Sequence, residues 1–281
     1  MPEKKNLPSK RKRREPPNHQ APPATKDPNY EPYPDHALPT PEDCLVVRDR
    51  LLALHGFPQQ FAKYRDRRVA PQEGGEPPHW EDESVLDGLV KTVISQNTTE
   101  VNSDKAFACL KSTFPSWEDV LAAETKTLEN AIRCGGLAPT KAACIKNVLR
   151  CLMDKRGELC LEYLRELSVS DIKAELSNFK GIGPKTVACV LLFNLQQDDF
   201  PVDTHVFEIA KTIGWVPMAA DRLKTYLHLN RRIPKELKFD LNCLIYTHGK
   251  LCNRCNKGRD QQKGNKSGDS DCPLLCYSKS M

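Results

Sequence analysis

The stretch Phe179-Lys180-Gly181-Ile182-Gly183-Pro184-Lys185-Thr186 decides the reading of this chain. Two glycines flank one apolar residue, which allows a tight turn with positive φ and lets Ile182 tuck between two helices. Pro184 stands where a first-turn proline belongs, so a helix starts there and is expected to run to about Leu195. Upstream, Ser170 is suited to cap a short helix over Asp171 to Asn178. The unit is therefore helix, glycine hairpin, helix. Backbone N–H groups at Gly181 and Gly183 would face outward, an arrangement that suits a phosphate. The same residues also make an ordinary helix–helix turn, and the hairpin alone does not choose between the two.

Lys185 lies in the first turn of the new helix, where a cation opposes the helix dipole at a cost of roughly 0.3–1 kcal/mol. That field, with partial burial, is expected to lower the amine's pKa, which favours a nucleophile. A solvated lysine tolerating a poor position is the alternative. Asp203 follows 203 − 185 = 18 residues later, in Pro201-Val202-Asp203-Thr204-His205. It reads as the N-cap of a helix beginning around Val206-Phe207-Glu208-Ile209. A capping carboxylate is held ionised in one orientation, so it can also stabilise developing positive charge.

Outward from this segment the pattern stays helical. Thr40-Pro41-Glu42-Asp43 carries a cap, a first-turn proline and first-turn acids, and the helix should stop at Gly56. A linker containing Pro71, Gly74, Gly75, Pro77 and Pro78 follows. From Asp82 on, Val85, Leu86, Leu89, Val90, Val93 and Ile94 repeat at helical spacing, as do Ala142, Ile145, Val148, Leu149 and Leu152. No alternating strand pairs stand out. The fold class is all-α, with about ten helices in two lobes: a six-helix barrel over 82–200, and a second lobe from 41–56 with 201–281.

Composition bounds the function less than the net charge of +5 implies. Residues 1–14 hold seven Lys or Arg against Glu3, a balance of +6, so residues 15–281 sum to −1. Any nucleic-acid face on the folded part must come from local asymmetry. Half of the 22 prolines fall within residues 1–41, and 1–40 read as a disordered basic, proline-rich tail. Its run Lys10-Arg11-Lys12-Arg13-Arg14 suits nuclear import, or a tail adding salt-sensitive DNA affinity, with an organelle left open. No apolar run nears the roughly 18 residues of a membrane span, and no secretory leader is evident. The 12 cysteines are expected as reduced thiols or metal ligands, with Cys109, Cys144 and Cys189 as small core residues.

Gly181-Ile182-Gly183-Pro184-Lys185-Thr186 followed by Val202-Asp203-Thr204-His205 resembles the endonuclease III family of helix-hairpin-helix glycosylases, in a plant-type form. Three more places resemble it in order. Ser95-Gln96-Asn97-Thr98-Thr99 is similar to the loop that fills the hole left by a flipped base. Gly136-Leu137 with Thr140-Lys141-Ala142 is similar to the loop that wedges an apolar residue into the opposite strand. His248-Gly249 before Cys252 is similar to the lead-in to an iron–sulfur loop. The resemblance spans about Asp82 to Gly249.

It implies a DNA glycosylase with abasic-site lyase activity, acting as a monomer on double-stranded DNA with a damaged or modified base. Lys185 would be the amine nucleophile and Asp203 its carboxylate partner. Gln96 or Asn97 would fill the vacated space, Leu137 would be the wedge, and Gly181 and Gly183 would hold a phosphate with Lys180 adding a contact. Oxidised pyrimidines are the first substrate class the resemblance implies. A 5-methylcytosine glycosylase and a non-catalytic module for deformed DNA are the alternatives.

Two departures stand out. Phe179-Lys180 replaces the family's common Leu-Pro, and no glutamate lies near Thr92 where the adenine-removing branch has one. At the C-terminus, Cys252, Cys255, Cys272 and Cys276 give C-x2-C-x16-C-x3-C against the family's C-x6-C-x2-C-x5-C. These thiols leave three outcomes open: a [4Fe–4S] cluster, zinc, or no metal.

Overall fold

The computed structural model describes residues 30–69, 83–252, 254–255 and 272–274. Among them are twelve α-helices and no strand. The first is α1 (Pro41–His55), where Thr40 and Asp43 form a reciprocal capping box and Gly56 ends the helix at φ 64°. In α3 (Val85–Ile94), Ser84 and Asp87 do the same, and all six apolar residues of the expected stripe are buried. Then follow α4 (Glu100–Thr113), α5 (Trp117–Ala122), α6 (Thr125–Ala131) and α7 (Ala138–Arg156). The periodic residues Ala142, Ile145, Val148, Leu149 and Leu152 of α7 are likewise buried.

The hairpin joins α8 (Val169–Ser177) to α9 (Pro184–Cys189), which continues as a π-turn over Val190–Asn194. The expected extent to about Leu195 holds, but the cap of α8 is Ser168 and not Ser170. Ser168 Oγ accepts from the Asp171 amide at 3.2 Å and donates to the Asp171 carboxylate at 2.6 Å. The acid three residues on selects the earlier serine. The second half contains α10 (Thr204–Thr212), α11 (Arg222–Arg232) and α12 (Lys235–Leu251).

Two main apolar cores result. One draws on residues from Val85 to Leu195, with Phe179 and Ile182 of the hairpin inside it. The other joins Cys44, Val47 and Leu51 of α1 to residues from Phe200 to Leu274. The hairpin helix thus ends one lobe and Asp203 opens the other. The two are tied at Asp199, a buried carboxylate 2.6 Å from Lys173 Nζ on α8 and 3.0 Å from the Tyr226 hydroxyl on α11.

Two segments depart from expectation. Residues 31–40, read as part of the disordered tail, are pinned to the second lobe. His228 is fully buried between the Glu31 carboxylate and the Leu38 carbonyl, each 2.7 Å from a ring nitrogen. Arg232 donates to the His36 carbonyl at 2.8 Å. Both partners lie some 190 residues away, so no local pattern shows the anchor. The residues after Gly56, read as linker, form a 3-10 turn over Gln59–Phe61 and α2 (Ala62–Val69). They build a third, aromatic cluster in which Phe57 and Phe193 lie against Phe239, and Phe61 and Tyr64 against Phe193. Residues 1–29 and 70–82, with the basic run and most of the linker, lie outside the described residues. No helix among the described residues is long and apolar enough to cross a membrane.

Candidate functional site

In the hairpin only Gly181 has positive φ, at +96°. A side chain there would be strained, and its Cβ would stand 2.8 Å from Cys144 Sγ. Gly183 is extended (φ −96°) and caps α9. A Cβ on it would meet nothing within 4 Å. The positive φ that the glycine pair allows is taken by Gly181, which makes the bend, and Gly183 leaves open space beside it. The amides of Gly181 and Gly183 donate to nothing among the described residues. Lys180 is exposed, and its amide donates to Asn147 Oδ1 at 2.9 Å.

Lys185 is solvent-exposed, yet surrounding protein desolvates its amine. Its ammonium is held above the ordinary lysine range. The Cys189 sulfur one helical turn on contributes most, burial opposes it, and Asp203 and Tyr246 add to it. The first-turn field does not produce a free amine at rest: the Asp203 carboxylate acts against it, whereas the Cys189 thiol and the Tyr246 hydroxyl, both with raised pKa, add negative charge only once they ionise. Asp203 caps α10 as expected, accepting from the Val206 amide at 2.8 Å through Oδ1. Lys185 and Asp203 feel each other's charge but form no ion pair within 4.0 Å.

Cys189 and Tyr246 were not foreseen here. Cys189 is buried, as a core cysteine should be, and burial raises its pKa. Tyr246, on α12, lies edge-on to His205 with ring centroids 5.8 Å apart. Gly249 permits this closeness, since a Cβ there would stand 2.6 Å from the Cβ of His205.

Gln96 and Asn97 turn different ways. Gln96 Nε2 donates to Thr186 Oγ1 at 3.1 Å, next to Lys185, whereas Asn97 is exposed with φ 50°. Leu137 also has φ 50°, and 54% of its surface is exposed. An apolar side chain on a strained backbone facing water is not a core leucine. The two loops are joined by Lys141, which is buried and was not singled out for this. Its Nζ donates to the carbonyls of Ile94 at 2.6 Å and Gly135 at 2.8 Å.

A second cluster lies at the end of α12. Of the four expected thiols, Cys252, Cys255 and Cys272 converge, and Cys276 lies outside the described residues. The fourth member of the group is His248, and all four ligand atoms lie within 4.8 Å of one another. The spacing held the signal: His248 and Cys252 are four apart on a helix, hence on one face. This grouping does not fit a [4Fe–4S] cluster. A cubane puts each cysteine on a different iron and needs its sulfurs far enough apart to span the cage. Here Cys255 Sγ and Cys272 Sγ are 3.8 Å apart.

Residues 90–235 match the family described as HhH-GPD superfamily base excision DNA repair protein. A DNA glycosylase homologue of Arabidopsis thaliana is 60% identical over 258 residues, covering 88% of each chain. The Arabidopsis thaliana DNA glycosylase/AP lyase ROS1 is 36% identical over 118 residues, 42% of this chain and 8% of that one. A solved endonuclease III–DNA complex shares the fold with TM-score 0.57 at 24% identity, covering 79% of this chain and 94% of the other. The chain belongs to the HhH-GPD superfamily, as a DNA glycosylase of the endonuclease III type.

Proposed function

We propose that this chain is a bifunctional glycosylase that excises oxidised pyrimidines from double-stranded DNA through Lys185 and then opens the strand at the abasic site. The observation that carries the reading is the meeting of Lys185 and Asp203. They come from different lobes, each from the start of a helix, and share one electrostatic environment without contact.

In this reading the free amides of Gly181 and Gly183 hold a DNA phosphate, with Lys180 beside them. Leu137 wedges into the stack and the exposed Asn97 enters the vacated space, while Gln96 anchors its loop to Thr186. Extruding the nucleotide costs a few kcal/mol. The bond from C1′ to the base breaks, and its electron pair leaves with the base. Asp203 offsets the charge on the sugar. The Lys185 ammonium gives up a proton, which the departing base takes, and Nζ bonds to C1′. The C1′–O4′ bond then breaks as a proton passes from Nζ to O4′, leaving the protonated Schiff base; water takes a C2′ proton, and the electron pair of that C–H bond forms the C2′–C3′ double bond as the 3′ phosphate leaves. The family resemblance and the likeness to a protein named glycosylase/AP lyase support the lyase step. The basic run at Lys10–Arg14 fits a nuclear enzyme.

The likeness to ROS1 and the Gln96-Asn97 pair favour a second reading, with 5-methylcytosine as the base. A panel of duplexes separates the two, each carrying one oxidised pyrimidine, oxidised purine or 5-methylcytosine, under single-turnover conditions. Fastest release from the oxidised-pyrimidine duplex supports the first reading, and preferential 5-methylcytosine release supports the second. Binding without release from any duplex would leave a non-catalytic DNA-binding module.

A further inference from the structure

We propose that His248, Cys252, Cys255 and Cys272 form a structural zinc site that takes the place of an iron–sulfur cluster in this chain. The inference does not rest on the lysine chemistry.

Two of the ligand-atom distances are those of one tetrahedral ion. Zinc binds thiolate sulfur at about 2.3 Å and imidazole nitrogen at about 2.0–2.1 Å, so tetrahedral angles put two sulfurs about 3.8 Å apart and a sulfur and nitrogen about 3.5–3.6 Å apart. Cys255 Sγ and Cys272 Sγ are 3.8 Å apart, and Cys272 Sγ is 3.5 Å from His248 Nε2. Three thiolates and one imidazole are an established ligand set for structural zinc. The set is also shielded: His248 and Cys255 are buried, and Cys252 and Cys272 half-buried.

The surroundings are built for a metal-bound histidine. His248 Nδ1 is 3.0 Å from His55 Nε2 at the end of α1. With Nδ1–H donating to His55, the lone pair of His248 Nε2 faces the three sulfurs. A partner on the second ring nitrogen is what orients a ligating histidine. Arg50, also on α1, donates to the carbonyl of Pro273 at 3.2 Å, tying the Cys272 turn to the same helix.

The site thus clamps α1, the end of α12 and the Cys272 turn. Gly249, next to His248, is packed against His205, two residues after Asp203. Zinc at this point would brace the helix start that presents Asp203, and would take no part in bond breaking.

The test uses the full chain purified from cells supplied with both zinc and iron. Elemental analysis should find about one zinc per chain, without acid-labile sulfide. Exchange with cobalt should give the intense visible bands of a tetrahedral ion and a near-ultraviolet thiolate-to-cobalt band. Cys276→Ser should keep the metal and both spectra, and Cys272→Ser should lose them. His248→Cys should keep a tetrahedral ion but shift the cobalt bands to longer wavelength as a fourth thiolate replaces nitrogen. Stripping the wild-type protein with a chelator should lower its melting temperature, and zinc should restore it. Four irons with sulfide, or a chain that takes up neither zinc nor cobalt, would overturn the proposal. So would loss of metal from a folded Cys276→Ser. The wild-type stoichiometry and the Cys276→Ser result decide the matter even if the other variants fail to fold.

Discussion

The ammonium of Lys141 lies 2.6 Å from the carbonyl oxygen of Ile94, and it reaches the Gly135 carbonyl with a second hydrogen bond. One buried cation on α7 therefore closes the end of α3 and fixes the turn before Leu137. The loops carrying Asn97 and Leu137 depart from these two carbonyls, so their separation is set by one side chain. Lys141→Met should leave two carbonyls buried without a donor, costing about 1–3 kcal/mol by chemical denaturation. Base release should fall further than stability alone explains, because both inserting loops lose their register. Unchanged unfolding and unchanged release would remove Lys141 from this role.

Leu137 separates packing from function. Being exposed, Leu137→Ala should change stability by less than about 0.5 kcal/mol. Release from duplex DNA should fall at least about tenfold if removing the wedge costs roughly 1.4 kcal/mol or more of transition-state stabilisation. Release from single-stranded DNA, which needs no wedge, should change little. A large loss of stability would return Leu137 to the core.

The hairpin glycines should fail differently. Gly181→Ala forces a side chain to φ +96° against Cys144, and should destabilise the fold by about 1–2 kcal/mol. Gly183→Ala is sterically allowed and should melt normally, yet bind DNA more weakly at every salt concentration because a methyl occupies the open space. Normal DNA affinity for Gly183→Ala would place the phosphate elsewhere.

Much of this was legible locally. The stripe of α3, the capping box at Thr40 and the proline start of α9 depend on residues within a turn of one another, and each formed as read. Most of what differs depends on partners remote in sequence, the cap of α8 being a local exception. The segment of α2 looks like charged linker because Arg65 and Arg68 stack on Phe57 and Phe239, at 4.3 and 4.7 Å from the ring centroids. Their aliphatic stems cover rings whose positions no local period reveals. The site was half legible: Lys185, Asp203 and the inserting loops follow from motifs. The Lys185 environment depends on Tyr246, 61 residues away (246 − 185), and on Cys189, whose thiol reads only as core filler. A count of thiols alone does not reveal His248, the histidine four residues before Cys252 that completes the group.

The protonation of Lys185 gives a pH test. A raised amine pKa means the ammonium persists through neutrality, so the free fraction grows about tenfold per pH unit there. Adduct formation with an abasic duplex should therefore climb across the neutral range without a plateau. Asp203 is one of the groups that raise this pKa. Asp203→Asn should shift the rising limb to lower pH while reducing the maximal rate. A wild-type plateau near pH 7, or a limb unmoved in Asp203→Asn, would contradict the assignment of these charges.

In the proposed reaction Lys185 becomes covalently bound to the sugar. Borohydride trapping tests it, using a duplex with an oxidised pyrimidine, an abasic duplex beside it, and Lys185→Ala as control. An adduct is expected on both duplexes with the wild-type chain, and none with a folded Lys185→Ala that still binds DNA. Wild-type chain that releases the base without a trappable adduct, or an adduct that persists in Lys185→Ala, would contradict it.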